Sequence, residues 1–92
     1  MNHAAKGARV ERKCMKLLEA LGYEVTRAAG SHGLWDLIAT HPTHTRYIQV
    51  KANRPPGSVE REGLVGFRCP PACSREIWVW EDHAHLPSIE VL

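Results

Sequence analysis

The stretch from Gly30 to Lys51 does most to limit what this chain of 92 residues can fold into. Leu34 to Thr40 and Thr45 to Lys51 are two apolar runs separated by His41-Pro42-Thr43-His44, which predicts a β-hairpin with a four-residue loop. Pairing Thr40 with Thr45 sets Asp36 opposite Gln49. Side chains alternate along a strand, so Gln49 and Lys51 leave from one face while Ile48 and Val50 leave from the other. An acid, an amide and an ammonium therefore converge at one end of the hairpin.

Polar groups gathered on a sheet are costly unless they bind something. Asp36 and the Gln49 side-chain oxygen are hard oxygen donors of the kind Mg²⁺ takes, with the Val50 carbonyl as a third. Lys51 would then face a phosphate or an attacking water and stabilise developing charge.

Ala4 to Leu21 reads as an amphipathic helix, with Val10, Cys14, Leu17, Leu18 and Leu21 on one face and Gly22 as its stop. Arg9, Lys13 and Lys16 fall along one flank of the apolar stripe and Glu11 along the other, where it can approach Asp36. By periodicity alone Glu11 is an ordinary surface glutamate and the basic flank a solvated one. Tyr23 to Ala28 alternates as a first strand, and Ala29 to Gly33 is a glycine-containing turn. The net charge is only +2, but Lys6, Arg9, Arg12, Lys13, Lys16 and Arg27 make up half of the twelve lysines and arginines. Basic side chains clustered in this way suit a nucleic-acid backbone.

Asp36 followed by Gln49-Val50-Lys51 resembles the metal-binding signature of restriction-endonuclease-like nucleases, an Asp followed by (Asp or Glu)-x-Lys. More closely, Lys6-Gly7, Glu11-Arg12, Leu21-Gly22-Tyr23-Glu24-Val25, Arg27, Gly30-Ser31 and Asp36-Leu37-Ile38-Ala39 resemble archaeal-type Holliday junction resolvases and their phage relatives. The resemblance spans roughly the first half of the chain and fades after Lys51. It implies a homodimer that cuts four-way DNA junctions by metal-dependent hydrolysis, with Mg²⁺ as cofactor and Mn²⁺ as a substitute. It gives Glu11 a role as a direct or water-mediated metal ligand, Ser31 a place against the substrate backbone in the active site, and Arg27 a match to a family arginine. Under it, Lys6, Arg9, Lys13, Lys16, Arg27, Ser31 and the neighbouring His32 become candidate DNA contacts, and Glu11, Asp36, Gln49 and Val50 the metal set. The family usually carries a carboxylate where this chain has Gln49, so two alternatives stand beside junction resolution. One is a related nuclease acting on flaps, nicks or forks. The other is a binding module that no longer hydrolyses.

After Lys51, Pro55-Pro56-Gly57 marks a loop, and Ser58 is positioned to N-cap a short helix running to about Phe67. Arg75 to Glu81 is a strand with Ile77 and Val79 on one face and Trp78 and Trp80 on the other, and Ser88 to Leu92 is positioned to pair with it. The two tryptophans need cover, either from the chain's own core or from a second copy. Trp35 points away from Asp36 on an alternating strand, which suits core or dimer packing better than base stacking. Cys69, Cys73, His83 and His85 have spacings that match common zinc modules poorly. Residues 1–92 thus read as a single α/β nuclease domain with a restriction-endonuclease-like core: a helix, a three-stranded antiparallel sheet, a short second helix and one or two further strands. The polar start from Met1 to Arg12, the three cysteines and the lack of a long apolar run predict a cytoplasmic protein with reduced thiols and no membrane span, and the resemblance implies a bacterial, archaeal or phage-infected cell.

Overall fold

The computed structural model describes residues 3–28 and 34–92, with side chains from residue 7 onward. Helix α1 spans His3–Ala20, and the apolar spacing read from the sequence buries Val10, Cys14 and Leu18 against the sheet. Gly22, at φ +93°, ends it: its N–H bonds the Glu19 carbonyl while the Tyr23 N–H bonds that of Leu18, each at 3.0 Å. That is the Schellman arrangement, in which only glycine adopts the left-handed turn without penalty. Leu21, expected on the buried face, lies past the last helical turn and is 65% exposed.

The chain then lays down β1 (Glu24–Arg27), β2 (Leu37–His41) and β3 (His44–Ala52), with β1 antiparallel to β2 and β2 antiparallel to β3. Thr40 pairs with Thr45 as expected, but pairing continues to His41 and His44, so the four-residue loop shrinks to Pro42-Thr43. Helix α2 (Ser58–Gly66) carries the chain over to β4 (Cys73–Trp80), which runs parallel to β3, and β5 (Ser88–Val91) returns antiparallel to β4. Both further strands are present in a single five-stranded sheet of order β1-β2-β3-β4-β5. No helix among the described residues is long and apolar enough to cross a membrane.

Each face of the sheet carries one helix. Val10, Cys14 and Leu18 of α1 pack with Leu37, Ala39, Ile48, Val50, Trp78 and Trp80. On the other face Leu64 of α2 packs with Trp35 and Ile77, flanked by Tyr47, Phe67 and Val79. Trp78 and Trp80 are 2% and 3% exposed, so α1 covers them within the chain and they do not call for a second copy. Trp35 is also core, its ring 5.4 Å from that of Phe67 in an edge-on contact. Ser58 does not cap α2. Gly57 occupies the N-cap with no side-chain hydrogen bond, and Ser58 is already helical.

The α1 face also holds an ion pair that the sequence did not announce. Glu76 of β4, 2% exposed, takes Arg46 of β3 at 2.7 Å, the Trp78 indole N–H at 2.9 Å and the Ser74 hydroxyl. Burial would push the Glu76 carboxyl up, but the hydrogen bonds from Arg46, Ser74 and Trp78 outweigh it and hold it below the usual carboxylate range. Removing one partner strands the other charge. Glu76→Ala should therefore cost about 3–5 kcal/mol in urea unfolding, whereas Arg46→Met with Glu76→Leu should return most of it. Equal losses in the single and double variants would contradict this account.

Candidate active site

The site lies where β2 begins beside the end of β3. The Asp36 N–H bonds the Ile48 carbonyl and its own carbonyl accepts from Ala28, both at 2.9 Å. Leu37 is the registered partner of Ile48, so residues 36 and 37 both oppose one residue of β3, as in a β-bulge. The packing agrees, because Trp35 sits in the α2-side core and Leu37 in the α1-side core, which strict alternation forbids. Asp36 therefore does not stand squarely opposite Gln49. The bulge turns its carboxylate to the end of β3, where Oδ2 accepts the Val50 N–H at 2.9 Å. Gly63 on α2 lets this segment approach closely, since a Cβ there would meet Leu34 at 3.3 Å.

Charge is concentrated around that carboxylate. Burial comes first in pushing the Asp36 carboxyl above its ordinary value. The Val50 N–H opposes this, Glu11 adds to it, Lys51 opposes it and Glu60 adds to it. Asp36, at the start of β2, thus feels the charges of Glu11 on α1 and Glu60 on α2. Glu11 is held by Arg27 of β1 at 3.0 Å, and Lys51 by Glu60 at 2.7 Å. Gln49 is 8% exposed, and its Oε1 is buried with no hydrogen-bond partner. A buried acceptor left unpaired is costly, and this one sits on β3 two residues before the Lys51 ammonium.

The arrangement brings together Glu11, Asp36, Gln49, Val50 and Lys51, with Arg27 at the edge. An orphaned amide oxygen on the strand that holds Asp36, together with carboxylates that raise the cost of ionising Asp36, fits a hard cation such as Mg²⁺. Among the described residues no three His, Cys, Asp or Glu side chains already form a metal-ligating group, so the amide and side-chain rearrangement would have to complete a set. Ser31, His32 and the Lys6 side chain lie outside the described residues. Arg9, Lys13 and Lys16 are exposed on α1, with the Lys13 ammonium 5.2 Å from the centre of the Trp80 ring. Lys13 and Lys16 line a cleft of about 360 Å³ with Leu17, Trp80, Ala84 and His85, which adds His85 to the basic flank. The Cys69 and Cys73 thiols touch each other at the entry to β4. Glu60 was missed altogether, because an acid in the first turn of a helix reads as a dipole complement and nothing in the sequence carries it back to Lys51.

A bulged Asp and a Gln-x-Lys strand end, set between two helices on a mixed sheet, define a restriction-endonuclease-like nuclease fold. The solved structure of Hjc from Archaeoglobus fulgidus, a Holliday junction resolvase from an archaeal hyperthermophile, superposes with a TM-score of 0.72 at 21% identity over 94% of this chain and 75% of that one. The family model for archaeal Holliday junction resolvases matches residues 2–66, and the chain belongs to that family.

Because folding raises the Asp36 carboxyl, the folded state holds that proton more tightly than the unfolded chain. Stability is then lost as pH rises from the unfolded Asp value through the folded one. Asp36→Asn should melt a few degrees higher than wild type at neutral pH in metal-free buffer. The gain should shrink towards zero as pH falls below the ordinary carboxylate range. A lower Tm for the variant at pH 7, with circular dichroism showing the native fold, would contradict the strain argument.

Proposed function

We propose that this protein is a structure-specific endodeoxyribonuclease that resolves four-way DNA junctions by Mg²⁺-dependent hydrolysis. The observation that carries the reading is the buried, unpaired Gln49 oxygen on the strand end that carries Lys51 and holds the Asp36 carboxylate through the Val50 N–H. Asp36, Gln49 and the Val50 carbonyl would hold the cation, with Glu11 joining directly or through water. When bound, Mg²⁺ supplies Lewis acidity to the phosphate and lowers the pKa of the attacking water.

The chain's own groups do the rest. The Val50 N–H fixes the Asp36 carboxylate, so its approach needs no reorganisation. Lys51, at the strand end, donates to the phosphate as negative charge builds on it. Arg27 now pairs with Glu11, and when Glu11 turns to the metal the guanidinium is freed towards the DNA backbone. Arg9, Lys13 and Lys16 would track an arm of the junction through its phosphates without reading sequence, and Ser31 and His32 would meet the backbone nearer the cut. A homodimer would set two such centres on opposing strands. The mainly apolar groove lined by Leu17, Ala20, Leu21, Arg46, Trp78, Leu86, Pro87 and Ile89, beside the open β5 edge, would supply a surface for it.

A second reading is favoured by Gln49 itself. The neutral amide lowers the charge offered to a cation, and Lys51 is already satisfied by Glu60. Under that reading the protein binds branched DNA without cutting it.

An end-labelled synthetic four-way junction beside duplex, flap and single-strand controls, in Mg²⁺, Mn²⁺ or EDTA, separates these readings. Resolution predicts paired, metal-dependent cuts confined to the junction, lost in Asp36→Asn and reduced about 10²–10³-fold in single-turnover rate in Lys51→Ala. Equal cutting of the controls would point to a broader branched-DNA nuclease. Tight binding with no cleavage in either metal would leave the binding module.

A further inference from the structure

Resting on the metal-dependent reading above, we propose that Glu60 is a metal ligand, the carboxylate that this chain supplies from α2 where its central strand carries the neutral Gln49. Gln49 and Lys51 leave the same face of β3, and α2 covers that face through Leu64. Glu60 sits in the first turn of α2, its Oε1 2.7 Å from the Lys51 ammonium. The Glu60 charge also acts on Asp36 across the site. Independently of these carboxylates, Gln49 Oε1 is buried without a partner, an acceptor that awaits a donor or a cation.

The rearrangement is small in kind. The Glu60 side chain is 41% exposed and that of Lys51 30% exposed, so both have room to turn about their own rotamers. In the resting protein Lys51 and Glu60 neutralise each other. Once a cation sits against Asp36 and Gln49, Glu60 exchanges its ammonium partner for the metal, and Lys51 is released to the phosphate. The same exchange on the other side releases Arg27 when Glu11 turns. Two salt bridges therefore neutralise Glu11 and Glu60 until metal arrives, and each frees a cation for DNA when it opens. An exposed pair of this sort contributes little to folding, so it opens at small cost.

The test is calorimetric titration of the DNA-free protein with Mn²⁺, using wild type, Glu60→Gln, Asp36→Asn, Glu62→Gln and the double variant Gln49→Glu/Glu60→Gln, with thermal melting to confirm that each is folded. Glu62 is exposed on the same helix and controls for loss of a nearby charge. Glu60→Gln should weaken Mn²⁺ about 10- to 100-fold and Glu62→Gln hardly at all, with Gln49→Glu restoring binding in the Glu60→Gln background. Wild-type affinity in Glu60→Gln alongside loss in Asp36→Asn would overturn the Glu60 assignment and leave the nuclease reading standing. If wild type itself takes up no Mn²⁺, both fall together.

Discussion

Everything at the candidate site depends on β3 being enclosed. It has a strand on either side and a helix over each face, so a side chain in its buried stretch from Ile48 to Val50 cannot reach water without disturbing one of the two cores. Ile48 and Val50 fill the α1 side. Gln49, between them in sequence, is pressed into the α2 side with its oxygen unpaired. A chain selected only for stability would place valine or isoleucine there. The same enclosure fixes the Val50 N–H, which is what lets one carboxylate be held at the end of the strand.

The two polar clusters on this sheet behave in opposite ways, and the contrast separates a structural group from a functional one. Glu76 is more buried than Asp36, yet folding lowers the carboxyl of the first and raises that of the second. Glu76 meets a guanidinium, an indole and a hydroxyl, and so its ionised form is satisfied. Asp36 meets one backbone amide and feels two other carboxylates, while among the described residues the ammonium that acts on it, Lys51, is already engaged by Glu60. A network complete in itself explains itself. One that is incomplete and short of positive charge points to something the folded chain has yet to receive.

Sequence reasoning reached the hairpin, the register of Thr40 with Thr45, the burial stripe of α1 and the alternation of β4, because each follows from a periodicity of two or 3.6 residues. It placed Glu11 on the correct flank for the same reason. What it missed depends on contacts between distant segments. The bulge at Asp36 arises where Trp35 is drawn into the α2-side core, which no local pattern records. Arg46 and Glu76 are thirty residues apart and meet only because β3 and β4 run parallel. Whether the cover for Trp78 and Trp80 came from the core or from a second copy stayed open in the sequence, because the reach of α1 over β4 is a tertiary fact. Glu60 went unnoticed because the crossover that returns α2 over Lys51 has no signature of its own.

Gln49 also makes physical sense as a compromise. A fourth carboxylate on β3 would sit buried beside Asp36, within the field of Glu11 and Glu60, and would raise the cost of ionising all of them in the metal-free chain. For a domain of this size, whose whole stability is only about 5–15 kcal/mol, that cost is not negligible. An amide keeps the oxygen and drops the charge. Moving a carboxylate to the exposed first turn of α2, where Lys51 can neutralise it until a cation competes, keeps the charge available without burying it at rest. The substitution that looks like the loss of a ligand is then also a way of folding an acidic site before its metal is present.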